Sequence, residues 1–337
     1  MRHAIGFVLA ALLAGTVMLA PASAQAPVKR VGYVVYGASG PRDHLEQALL
    51  DGLREQGYVE GRNLVVERRY AEGSGQRLRS AATELAALKL DAIVSTCSTS
   101  TDAVKQATTA SGTPVIMAVV SDPVGQRLVA SLARPGGNVT GRSSQAEDTM
   151  PKMLELFAAA LPRATRIAVL YNTGNPVHPR LWRTLEHAGQ DLGLSLMRVD
   201  VSSASEYPAL FEAMVRERLA ALLVLLVLPD DNASFNARAS LVDLAAKRGI
   251  PSFYGAREFV VQGGMMSYGE NMAASYRDSA LYVAKVLGGT RPSDLPVEQP
   301  TRFELVVNAG AAKALGLTIP VALLLRADEV IQGPSPP

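Results

Sequence analysis

A single cysteine, Cys97, in 337 residues excludes an internal disulfide framework and a cysteine-rich metal site. Histidine is scarce too: His3, His44, His178 and His187 are scattered without metal-ligand spacing. Charge of one sign is missing, with 33 basic against 31 acidic residues and no like-charge blocks. That balance excludes a strongly electropositive nucleic-acid or membrane-surface binder. Aromatics make up only 5% of the chain. Beyond the first two dozen residues no apolar run reaches the roughly 18 residues of a membrane span. The run Leu219 to Leu228, bounded by charged and turn residues, reads as a buried strand. The catalytic signatures G-x-S-x-G, G-x-x-x-x-G-K-[ST], H-E-x-x-H and a strand-following G-x-G-x-x-G are absent. Cys97 has no histidine evident beside it, so it reads as a small pocket-lining residue rather than a nucleophile.

What is present begins with Arg2 and His3, an apolar run from Ala4 to Ala20, Pro21 and Ala22-Ser23-Ala24. This order of charged, apolar and small residues marks a secretory signal, residues 1–24, cleaved after Ala24. The mature chain is then exported, periplasmic and not inserted in the membrane. With 48% hydrophobic residues it can bury a core in each of two domains.

Short β-branched runs alternate with helical periodicity, the rhythm of parallel βαβ units. Strand starts near residues 31, 64, 91 and 114 are echoed near 166, 195, 221 and 250. Gly112-Thr113-Pro114 leads into the fourth strand of the first set and Gly249-Ile250-Pro251 into the fourth of the second. The expected fold is therefore α/β, two doubly wound parallel-sheet lobes joined by a hinge. The N-terminal lobe is placed at 28–141 plus about 271–295, and the C-terminal lobe at about 142–270 plus about 296–331. Hinge candidates are Arg134 to Gly141, Gly263 to Gly269 and the tail from about Asp294.

In such sheets ligands bind outside the carboxyl ends of the strands. Tyr36 and Ser39, Thr96 to Thr99, and Ser121 with Asp122 hold those positions in the first set. Asn172 and Asn175, Asp230 with Asp231, Tyr254 and Tyr268 hold them in the second. Hydroxyls at helix starts suit a carboxylate, so Ser98, Thr99 and Ser121 form a candidate cradle, with simple capping as the alternative for each. Asp122 or Asp230 would face an amine. Tyr36, Tyr171, Tyr254 and Tyr268 would wall in the ligand body.

Several segments carry a resemblance. Gly52 to Leu64 (GLREQGYVEGRNL), Asp122-Pro123-Val124-Gly125, Ser131 to Gly141 (SLARPGGNVTG) and Tyr254 to Phe259 (YGAREF) are among them. Ala314 to Pro320 (ALGLTIP) and Leu324 to Ile331 (LLRADEVI) extend the match over nearly the whole mature chain. Together they resemble the ABC-transporter substrate-binding protein family that includes the tryptophan/tyrosine-type binding proteins. This resemblance implies a type I periplasmic-binding-protein fold with three crossings and a small organic ligand closed between the lobes. It also implies delivery to an ABC permease and its ATPase, with no cofactor and no chemical step. A monomer suits a hinge-closing receptor. A receptor reporting to a membrane sensor, or a cleft enzyme on the same fold, are the alternatives.

Overall fold

The computed structural model describes residues 27–40, 43–218, 223–229 and 231–333. The expected signal peptide with its cleavage after Ala24, and Asp230, lie outside these described residues.

The chain opens with β1 (Lys29–Val35), α1 (Asp43–Glu55), β2 (Leu64–Tyr70), α2 (Gly75–Ala87), β3 (Ala92–Ser95), α3 (Ser98–Ala107), β4 (Val115–Ser121) and β5 (Val139–Ser144). All five strands are parallel, in the order β2-β1-β3-β4-β5. Local chemistry explains the helices. In α2, Ser74 accepts from the Arg77 N–H at 3.3 Å as N-cap, and Leu78, Ala81, Ala82 and Leu85 form one buried face at helical spacing.

The second lobe follows as α4 (Ala146–Ala160), β6 (Arg166–Asn172), α5 (His178–Asp191), β7 (Ser195–Val201), α6 (Tyr207–Arg218), β8 (Leu223–Val227), α7 (Asn232–Asn236), α8 (Arg238–Lys247), β9 (Ser252–Tyr254), α9 (Arg257–Val261) and β10 (Met266–Glu270). Its strands run β7-β6-β8-β9-β10, the same 2-1-3-4-5 order as in the first lobe. The repeat read from strand spacing is thus a repeat of topology.

From β10 the chain returns to the first lobe as α10 (Met272–Leu287), which packs along α1. Gly52 makes that approach possible, since a Cβ there would stand 2.4 Å from the Arg277 carbonyl oxygen. A bridge between Arg142 and Glu298 keeps the following segment with β5. The chain then crosses again to β11 (Phe303–Asn308), α11 (Ala309–Ala314), α12 (Val321–Leu324) and β12 (Glu329–Ile331). β11 runs antiparallel to β10 because it enters from the opposite lobe. The three crossings lie at Ser144–Gln145, at Glu270–Asn271 and just after Glu298. The turn-rich stretch Arg134 to Gly141 is therefore internal to the first lobe, because β5 stays paired to β4 as far as Ser144.

Strand alternation divides the second core in two. Ile167, Val169 and Tyr171 of β6 face α4 and α5, while Ala168 and Leu170 face the opposite layer. Among the described residues no helix is long and apolar enough to cross a membrane.

Candidate functional site

A cavity of about 430 Å³ lies between the two lobes at the carboxyl ends of both sheets. The first lobe contributes Tyr36, the loop Thr96 to Thr99 and Ser121; the second contributes Asn172, Asn175, Asp231, Phe235, Asn236 and Phe259. The crossings add Gln145, Glu270 and Phe303. No lysine, arginine or histidine lines it among the described residues. Nor is any group of three His, Cys, Asp or Glu side chains among them placed to hold a metal ion.

The polar end of the cavity is the start of α3. Cys97 is its N-cap, with Sγ accepting from the Ser100 N–H at 3.5 Å and the Ser100 hydroxyl accepting from the Cys97 N–H at 3.1 Å. The first-turn N–H groups of Ser98 and Thr99 have no intrahelical acceptor and open toward the cavity. The hydroxyls differ in what is left of them. Ser98 Oγ accepts from Gln126 Nε2 at 2.9 Å and donates to the Ser121 carbonyl at 3.4 Å. Thr96 Oγ1 donates to the Val34 carbonyl at 3.2 Å. Thr99 and Ser121 line the cavity with hydroxyls that make no hydrogen bond to the described residues. An anion placed here meets N–H groups and hydroxyls rather than a cation, an arrangement that binds carboxylates without a strong net charge.

The expected tyrosine wall is corrected. Of the four tyrosines only Tyr36 faces the cavity, its hydroxyl donating to the Gly73 carbonyl at 2.7 Å. Tyr171 points into the α4–α5 core, in edge contact with Trp182 and His178 and beneath the Arg198 guanidinium, because alternation along β6 sends it there. Tyr254 is fully buried and stacks at 4.6 Å on Phe259, with its hydroxyl donating to Ser252 Oγ at 2.8 Å. Tyr268 packs 6.1 Å from Phe303. The apolar wall is made by Phe235, Phe259 and Phe303, and two of the expected tyrosines stand one layer behind it. Phe259 and Phe303 lie beyond the strand ends or at the start of a returning strand, where a search of strand termini does not reach. Ser39 is exposed and off the cavity wall.

Two acidic expectations also change. Asp122 sits in a left-handed backbone position (φ 43°) outside the cavity. Its carboxylate accepts from the Gly125 N–H at 2.9 Å and pairs with Arg180 of α5. It therefore bridges the lobes instead of facing a ligand amine. Asp231 lines the cavity, but its oxygens already accept from Asn172 Nδ2 at 2.8 Å, from the Ala233 and Ser234 N–H groups and from the Ser234 hydroxyl. Asn172 in turn donates its backbone N–H to His178 Nδ1 at 2.9 Å, and its side-chain oxygen accepts from the Gly174 N–H. Burial holds the His178 imidazole below its ordinary range, against the opposing pull of the Asp231 carboxylate. Asn175 Oδ1 caps the Val177 N–H at 3.0 Å. These residues shape the cavity floor.

Among the described residues, several contacts join the lobes around the cavity. Arg180 pairs with Asp122 across the cleft and with Glu147 of its own lobe at 2.7 Å. His44 Nε2 of α1 lies 3.2 Å from Glu258 Oε1 of α9. Gly37 of the first lobe abuts Asn236 of the second, so closely that a Cβ on Gly37 would stand 2.5 Å from Asn236 Nδ2.

Two doubly wound lobes, three crossings and a cavity between the lobes at the strand ends define a periplasmic-binding-protein-like molecule. The chain belongs to the ABC transporter substrate binding protein family, which matches residues 34–331. It is accordingly a solute-binding receptor of an ABC transporter. It is 26% identical over 276 residues to a tyrosine-binding protein of Clostridioides difficile, covering 82% of this chain and 77% of that protein. A Streptococcus structure in complex with L-Trp is 26% identical, with a TM-score of 0.80 over 89% of this chain and 100% of that one. A ligand-free, open substrate-binding protein from Clostridium difficile is 25% identical, with a TM-score of 0.64 over 90% and 99% of the two chains. At nearly equal identity the ligand-bound relative overlays better than the open one, in keeping with the contacts across the cleft.

Proposed function

We propose that the protein is a periplasmic receptor for an amino acid with an aromatic side chain, delivered to an ABC permease and its ATPase. The observation that carries this is the mixed lining of the cavity, which brings together the α3 N-terminus with Thr99 and Ser121 and the rings of Phe235, Phe259 and Phe303. A carboxylate fits the first group and a flat apolar body the second. The volume is within the range of small-molecule sites. The ligands of the two relatives, tyrosine and L-Trp, support the same class. Ser98 positions the cradle through Gln126 and the Ser121 carbonyl, and Tyr36 closes one side. No chemical step takes place. The mature chain starts at Gln25 after export and acts as a monomer closing by hinge bending.

Thermal unfolding of the chain from Gln25 against L-tyrosine, L-tryptophan, L-phenylalanine, aliphatic amino acids and dicarboxylates tests this. A ligand at 100 times its Kd adds about 2.7 kcal/mol of stability. A Tm rise of several degrees with aromatic amino acids alone is the expected result, lost in the double variant Thr99→Val with Ser121→Ala. A rise only with dicarboxylates or aliphatic amino acids refutes the aromatic assignment.

A further inference from the structure

Behind Asn172 and Asp231, which line the cavity, stands His178, which does not. It is fully buried and is the first residue of α5. Its Nδ1 accepts from the Asn172 backbone N–H at 2.9 Å, and the half-buried Asn172 side chain donates to Asp231 Oδ1 at 2.8 Å. A chain of hydrogen bonds therefore runs from the imidazole through Asn172 to the cavity wall.

The first link fixes the state of the ring. A backbone N–H can only donate, so Nδ1 keeps its lone pair and the proton sits on Nε2, buried beside the Pro229 carbonyl. A second proton would enter at Nδ1 and set two donors against each other 2.9 Å apart. Neither can turn away, because the N–H belongs to the last residue of β6 and the ring lies edge-on against Tyr171. The imidazolium would also stand at the positive end of α5. Among the described residues, the charged groups on the elements around it are Asp231 from α7, Arg198 from β7 and Glu147 from α4. Arg198 lies over the Tyr171 ring and is paired with Asp200, while Glu147 is paired with Arg180 of α5. Burial holds the ring below its ordinary range against the opposing pull of Asp231.

Resting on the reading of the cleft given above, we infer that His178 is a positioning residue for ligand binding: its neutral ring holds Asn172 in the cavity wall, and a proton on Nδ1 displaces Asn172 and weakens the hold on the ligand. Every link belongs to the second lobe, so this part of the wall is set before the lobes close. Affinity is thereby tied to pH through a group that the ligand does not touch.

Isothermal titration of the chain from Gln25 with L-tryptophan and L-tyrosine at about pH 7.5 and about pH 5, the interval in which an imidazole titrates, tests this. Neither amino acid changes charge across that interval. Wild-type affinity should fall toward the acid end on the order of threefold to tenfold, the worth of one hydrogen bond. At the acid end binding should release protons, read as a dependence of the heat on the ionisation enthalpy of the buffer. In His178→Asn the amide Oδ1 takes the place of Nδ1 as an acceptor that does not titrate, so the affinity should no longer fall. His178→Leu, which lacks the acceptor, should bind more weakly than wild type at neutral pH and show no further loss in acid. A wild-type affinity that is flat with pH, or the same acid fall in His178→Asn, overturns the inference and leaves the aromatic cleft standing. Failure of the wild type to bind either amino acid at neutral pH removes the aromatic amino-acid reading, and this inference with it.

Discussion

Replacing Gly37 by alanine adds one methyl group at a place where the two lobes touch. The new Cβ would lie 2.5 Å from Asn236 Nδ2, 2.8 Å from Oδ1 and 3.0 Å from Cγ, where ordinary contact is 3.4–4 Å. All three atoms belong to the opposite lobe, so the clash arises on closure and vanishes when the lobes part. To relieve it Asn236 must swing out of the cleft or the lobes must stop about 1 Å short, and overpacking of this size costs about 1–3 kcal/mol. That penalty falls on the closed state alone, which lowers apparent affinity by the factor through which closure becomes less populated, roughly 5- to 150-fold. Titration with the ligand identified by thermal shift measures the loss. Small-angle scattering without ligand should show a more open average shape than in the wild type. The unliganded Tm should stay within a degree or two of wild type. Affinity unchanged within twofold, or an equal loss of stability without ligand, would refute the steric account.

Arg180→Met removes the ion pair with Asp122 that spans the cleft, and both side chains are partly exposed. A loss of affinity of about two- to fivefold is expected, with a weaker dependence of binding on salt, read by titration at low and high salt; an unchanged salt dependence would sink the bridge's role. Burial holds the His178 imidazole below its ordinary value of 6.5, so the unfolded chain takes up the proton first. Stability is therefore full above about pH 6.5 and falls as the pH drops below it. Tm measured from pH 7.5 to 5.5 should decline, and His178→Asn should flatten that decline; equal slopes in both proteins would contradict it. Phe157 is fully buried against the Phe253 ring at 5.9 Å, edge to face. Phe157→Ala should cost about 3–5 kcal/mol in chemical denaturation; a loss under 1 kcal/mol would mean that the second core collapses around the gap.

The alternation of strands and helices is written in local periodicity, which is why the starts at 64, 166 and 195 coincide with β2, β6 and β7. The loops that line the cavity were legible for the same reason. A parallel sheet places all its carboxyl ends on one edge, so Thr96 to Thr99, Ser121, Asn172 and Asn175 had to gather there. Side-chain direction was not legible. Tyr171 and Asn172 are neighbours in sequence, yet one enters the core and the other the cavity, since successive residues of a strand face opposite ways and the strand's register against its layers decides which. Nor could the sequence pair Asp122 with Arg180, or Gly37 with Asn236, because those partners are 58 and about 200 positions apart and meet only where two separately folded lobes close. The amino-acid order determined two copies of one topology and the edge on which the cavity lies. The packing of those copies decided which side chains face that cavity, because each contact across the cleft joins residues whose separation along the chain carries no local signal.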